Sequence, residues 1–117
     1  MIKIGSTVYK ILSENTEVIE LVGDKIFPLV AEKDTTFPFI VFKKDSYKPE
    51  YTKDGISNKK ALVEIIIASE DYKESVEIAE RVFKAISAKS KYFKLEDNTE
   101  DYLNDTFLQS LIYKIEK

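Results

Sequence analysis

Residues 60–89 read KALVEIIIASEDYKESVEIAERVFKAISAK, and the two halves of this stretch follow different periodicities. Through residue 68 the period is two: Ala61, Val63, Ile65 and Ile67 share one face of a strand, while Leu62, Glu64, Ile66 and Ala68 share the other. The first set is purely apolar and is the expected core face. From residue 69 the period lengthens to that of a helix. Ser69 or Asp71 can cap its start, Asp71 and Glu74 have capping-box spacing, and Val76, Ala79, Val82, Phe83 and Ile86 are expected to form the stripe that packs on the sheet. A strand followed at once by a long amphipathic helix is the unit around which the remaining segments are placed.

Upstream, Ile4, Val8, Ile11 and Leu12 recur at helical spacing and predict a helix over residues 3–14. A short second helix follows, with Asn15 or Thr16 as its cap, Val18, Leu21 and Val22 on one face, and Gly23 where a left-handed stop favours glycine. The stretch IFPLVAEKDTTFPFIVFK, residues 26–43, then carries two prolines. Proline cannot donate to a sheet ladder, so Phe27-Pro28 is expected on a short edge strand and Pro38 at the start of a longer one. In that longer strand Phe39 and Val41 point one way and Ile40 and Phe42 the other. Both faces are apolar there, so the second face needs a cover.

Downstream, two closing strands are expected near Tyr92–Glu96 and Phe107–Glu116, with the acidic run EDNTEDYLND, residues 96–105, as the turn between them. Alternating βαβ units are absent. The reading is therefore an α+β fold, one domain over residues 1–117, with a mostly antiparallel sheet, an N-terminal helix and one long helix packed across one face.

Composition removes much of the chemical repertoire. The chain of 117 residues has no cysteine and no histidine, which excludes disulfides, thiolate nucleophiles and the commonest general base and metal ligand. Three glycines cannot build a phosphate-cradling loop. No catalytic, cofactor-binding or metal-binding residue is assigned. Asp97, Thr99 and Asp101 have the spacing of a calcium loop, but Tyr102 and Leu108 occupy the positions that require glycine and glutamate, so the segment reads as a solvated turn. Glu64 reads as a charge on the second face of a sheet rather than as a buried base.

The N-terminal stretch lacks the pattern of a signal peptide, no apolar run reaches the length of a membrane span, and the expected compartment is the cytoplasm in which the chain is made. The net charge of -3 does not favour nucleic acid or an anionic membrane. Its distribution is uneven. Residues 43–60 hold six lysines against Asp45, Glu50 and Asp54, whereas residues 96–105 hold five acids and no base. The lysine-rich segment, with Tyr47 and Tyr51, reads as a flexible solvated hairpin tip, and one positive and one negative segment on a single chain suit contacts between copies.

Taken in order, these segments resemble the tail-completion, or tail terminator, family of long-tailed bacteriophages and prophages. The similarity runs through LVGDKIFP (residues 21–28), FPFIVF (37–42), YKPEYTKDG (47–55), ALVEIII (61–67), ESVEIAERVFKAI (74–86) and the closing EDYLNDTFLQSLIYKIEK. Phe39 departs mildly from the tyrosine that is frequent there, and the lysine-rich segment is heavier in charge than usual. The resemblance implies a structural virion protein and no cofactor: a homo-oligomeric ring, hexameric in the family, that caps the tail tube, ends its polymerisation and presents a surface for head-tail joining. The implied partners are a second copy, the tail tube protein and a head-tail connector protein, with no specific nucleic-acid sequence and no membrane. The implied location is the virion, with assembly in the bacterial host cytoplasm. Candidate interface residues are Lys43, Lys44, Tyr47, Tyr51, Lys53, Lys59 and Lys60 of the basic segment, and Phe39, Val41, Leu62 and Ile66 of the second apolar face. Two alternatives fit the same composition: another neck protein of the head-tail connector, and a monomeric acidic binding module such as an immunity or anti-defence protein.

Overall fold

The strand read from residues 60–68 is the centre of a longer one. In the computed structural model, which describes residues 2–116, it is β3 (Gly55–Ser69), flanked by β2 (Phe39–Thr52) and β5 (Thr106–Glu116). The edges are β1 (Ile26–Pro28) beside β2 and β4 (Phe93–Leu103) beside β5, giving the order β1-β2-β3-β5-β4. Every neighbouring pair is antiparallel except β1 with β2, which is parallel. Three helices complete the described residues: α1 (Ile4–Ser13), α2 (Thr16–Val22) and α3 (Tyr72–Lys89).

The core lies between the helices and one face of the sheet. Ala61, Val63, Ile65 and Ile67 of β3 are buried as their period requires, and Ile40, Phe42, Leu111, Tyr113 and Ile115 join them from the adjoining strands. Ile4, Val8 and Leu12 of α1, Val18 and Val22 of α2, and Ile78, Val82 and Ile86 of α3 close over this face. Caps fall where the sequence places them. Asn15 accepts a hydrogen bond from the Val18 N–H, and Asp71 accepts one from the Glu74 N–H. Glu74 does not reach back to Asp71 to close a capping box; its carboxylate accepts the Ser69 hydroxyl instead, at 2.7 Å. Gly23 ends α2 with a φ of 64°.

Three expectations are corrected. The stripe of α3 is Ser75, Ile78, Ala79, Val82, Ala85 and Ile86, while Val76 and Phe83 remain 39% and 41% exposed. At 3.6 residues per turn those two lie roughly 100° around from the centre of the buried arc, and the sequence reading gave the large Phe83 a place that the small Ala85 occupies. The acidic run is not a turn. It is most of β4, and only Asn104 and Asp105, both at positive φ, turn the chain into β5. The lysine-rich segment is likewise more than a hairpin tip: it is a ladder that runs through Pro49 to Thr52 and back from Gly55, with only Lys53 and Asp54 as its turn. Gly55 supports that turn with a φ of 112°. Pairing with a neighbour, more than the residues' own preferences, decides strand formation in both runs.

Candidate assembly interface

Because successive strand residues point to opposite faces, burying one set leaves the other on the far side of the sheet. Among the described residues no helix packs on that side. Its rows follow from the registers. Phe39 stands opposite Ala68, and Ala68 opposite Leu108; Val41 faces Ile66, and Ile66 faces Ser110; Lys43 faces Glu64, and Glu64 faces Ile112; Ser46 faces Leu62, and Leu62 faces Lys114. Phe27 of β1 extends the Val41 row, and Phe37 stacks on Phe39 with ring centroids 5.4 Å apart. These side chains are half-buried by one another, apart from Ala68, which is buried, and Leu62 and Phe37 at the exposed end of the range.

One carboxylate interrupts this apolar surface. Glu64 accepts a hydrogen bond from the Ser110 hydroxyl and lies 3.5 Å from the Lys43 ammonium, which is also 3.5 Å from Asp45. Asp45 first, and then Glu64, hold the Lys43 ammonium above its ordinary pKa. Glu64 thus has partners and serves the surface.

Two charged ends flank the face. Among the described residues β3 has no β5 partner beyond Lys60 and β2 has no β1 partner beyond Phe42, so the ladder from residue 49 to residue 59 is a two-stranded arm, tied to the end of β5 by the hydrogen bond that Asn58 donates to the Glu116 carboxylate. Lys60 is held by Glu50 at 2.9 Å, and that contact raises its pKa. Lys48, Lys53 and Lys59 form no ion pair among the described residues. Near the tip Tyr51 stands opposite Ile56, 74% and 48% exposed. At the other end of the sheet, β4 places Asp97 opposite Ile112 and Asp101 opposite Leu108, with Glu96 at a bulge. Here Glu100 turns to the helix side, where it accepts hydrogen bonds from Tyr72 and Gln109, each at 2.6 Å. Those two bonds, Tyr72 first, draw its pKa down.

The candidate residues therefore divide. Phe39, Val41, Lys43, Leu62 and Ile66 are brought together on the uncovered face. Tyr51, Lys53 and Lys59 belong to the arm, and Lys60 stands at its base beside Leu62. Tyr47 and Lys44 leave the group. A bulge at Asp45 re-phases β2, so Tyr47 pairs with Ala61 on the core side and packs against the core; Lys44, opposite the buried Val63, reaches the Ile2 carbonyl at 3.4 Å. Leu108, Ile112, Asp97 and Asp101 are not among the interface candidates named from the sequence, although the alternation of β5 carries the first two. No group of three or more metal-ligating side chains occurs among the described residues, and none of their helices is long and apolar enough to cross a membrane.

No curated protein is similar enough in sequence to count as a relative. Among solved structures, a chain of the virion of a native gene transfer agent particle shares the fold, with a TM-score of 0.79 over 93% of this chain and 90% of that one, at 14% identity. The family model of the tail completion protein gp17 matches residues 6–113, and this chain belongs to that family of phage tail structural proteins.

Proposed function

We propose that the chain acts as a ring of identical copies that caps the finished tail tube, ends its polymerisation and offers the opposite surface to a head-tail connector protein. The observation that carries this reading is the uncovered sheet face. A monomer gains nothing from placing Phe39, Val41, Leu62, Ile66 and Ile112 on one side of a sheet that its own helices leave open, whereas an assembling protein needs such a surface. The similar fold of a chain in a gene transfer agent virion is consistent with service in a particle. The protein is then a component of the virion, assembled in the host cytoplasm, and acts through surfaces without catalysis.

The test has two parts. Light scattering over a wide concentration range, with and without the purified tube protein, is expected to give a discrete closed oligomer near six times the 13.5 kDa chain mass. Tubes polymerised in its presence are expected to stop at uniform length and to carry density at one end in electron micrographs. A chain that stays monomeric under both conditions, or tubes that keep growing, would overturn the proposal.

A further inference from the structure

We infer that neighbouring copies are joined by the arm of one lying across the β4–β5 side of the uncovered sheet face of the next. This deepens the ring reading and rests on it.

The two ends of the molecule are complementary, and neither can satisfy itself. The arm offers Lys53 and Lys59, with Lys48 at its base, all without ion-pair partners among the described residues, near the exposed pair Tyr51 and Ile56. The receiving surface offers Leu108 and Ile112, bordered in the same rows by Asp101 and Asp97, which form no ion pair among the described residues. Each side thus has an apolar centre and a charged border, of opposite sign. From Gly55 at the arm, at ~3.3 Å per residue, β3 spans about 30 Å to Glu64, whose row carries Asp97, and about 43 Å to Ala68, whose row carries Asp101. The longest dimension of the molecule is 51 Å. The arm tip therefore cannot fold back on the acidic border of its own chain.

Contact through side chains is favoured over addition of a strand. Pro49 sits in the ladder opposite Lys59, and a proline there has no N–H to offer along the free edge of β2. What the arm presents is its side chains, with Tyr51 as the residue type that anchors interfaces. Exposed ion pairs are individually weak, so the lysines and aspartates set orientation and rate of encounter while the apolar residues supply adhesion. Because the two surfaces differ, the contact is heterologous, and a heterologous contact either closes into a ring or runs on as a filament.

The experiment is a charge exchange read by light scattering. The arm variant carries Lys53→Glu and Lys59→Glu; the edge variant carries Asp97→Lys and Asp101→Lys; circular dichroism checks that each is folded. Each variant alone is expected to need at least about tenfold more protein to assemble than the wild type, because like charges then meet. Mixed in equal amounts, or combined in one chain, the variants pair opposite charges at every contact and are expected to assemble again. Wild-type oligomers with either single-end variant unaffected, or no recovery on mixing two folded variants, would overturn this contact and leave the ring reading standing. So would variants that assemble normally but no longer cap tubes, which would assign the arm to the tube protein. A wild type that never assembles, with or without tube protein, would overturn both.

Discussion

Glu64 and Ser110 meet across the β3–β5 ladder, the hydroxyl of one donating to the carboxylate of the other in the middle of the uncovered sheet face. With Lys43 at 3.5 Å on the β2 side, the carboxylate is held in a three-strand polar cross-tie. All three groups retain access to water, so the cross-tie is worth little to folding.

Replacing Glu64 with leucine tests that weighing. The fold is expected to lose no more than about 1 kcal/mol, since half-exposed ion pairs and hydrogen bonds contribute at about that level. Solubility is expected to suffer more than stability, because Val41, Ile66, Leu62 and Ile112 would then merge into one apolar surface. Urea unfolding and light scattering of the same sample read the two effects. A loss well above that figure would show that the cross-tie is a folding element.

Tyr113 carries the opposite problem. Its ring is fully buried against Phe93, edge to face at 6.0 Å, but its hydroxyl has no hydrogen-bond partner among the described residues, and burial pushes its pKa upward. An unsatisfied buried hydroxyl costs about 1–3 kcal/mol, so Tyr113→Phe is expected to leave stability unchanged or raise it by up to about 1 kcal/mol. Tyr113→Ala, which empties the ring volume, is expected to cost about 3–5 kcal/mol. Thermal unfolding distinguishes the pair, and a clear loss in the phenylalanine variant would reveal a partner for the hydroxyl.

The core face was legible in the sequence and much of the assembly surface was not. Ala61, Val63, Ile65 and Ile67 announce themselves by strict alternation, and Asp71 by its place before an amphipathic run, because these signals are local. The acidic run of β4 could not be read as a strand. Asp97, Asn98, Glu100 and Asp101 have poor intrinsic preference for one, and only the ladder with β5 holds them there. Tyr47 falls on the core side for a similar reason, invisible in the sequence: one extra residue at Asp45 reverses the faces of everything after it. Phe39, Val41, Leu62 and Ile66 were found as a second apolar set, but their neighbours Leu108 and Ile112 lie on a strand more than forty residues away, and only the topology brings them together.

The corrected stripe of α3 makes a prediction of its own. Ile86 is completely buried and Phe83 is not, although Phe83 is the larger side chain. Ile86→Ala is expected to destabilise by about 2–5 kcal/mol, and Phe83→Ala by less than about 1 kcal/mol. The original stripe would require both to be severe, so denaturant midpoints for the two variants decide between the helix rotations.

Glu100 links stability to pH. Its pKa is lowered in the folded state by the Tyr72 hydroxyl and the Gln109 amide, so the unfolded chain binds the proton more readily. The contribution of this carboxylate is therefore present above the ordinary carboxylate range and is lost as pH falls through the lowered value. The difference in melting temperature between wild type and Glu100→Gln is expected to be largest near about pH 6 and to shrink towards about pH 3. A difference that stays constant over that range would mean that the bonds do not depend on the charge.

The last prediction concerns the centre of the receiving surface. Ile112 is half-buried on β5, between Glu64 and Asp97 in its row. A lysine at this position can extend its stem along the sheet and keep its charge in water, so Ile112→Lys is expected to fold, at a cost of about 1–2 kcal/mol. Assembly is expected to fail nonetheless, for two reasons that act together. The substitution removes apolar area where Tyr51 or Ile56 of a neighbour would rest, and it sets a positive charge among the acids that would receive Lys53 and Lys59. Ile112→Val, which keeps the apolar surface, is expected to assemble like the wild type. Sedimentation of the two variants at matched concentration separates loss of the surface from loss of the fold, and normal assembly of the folded lysine variant would remove Ile112 from the interface.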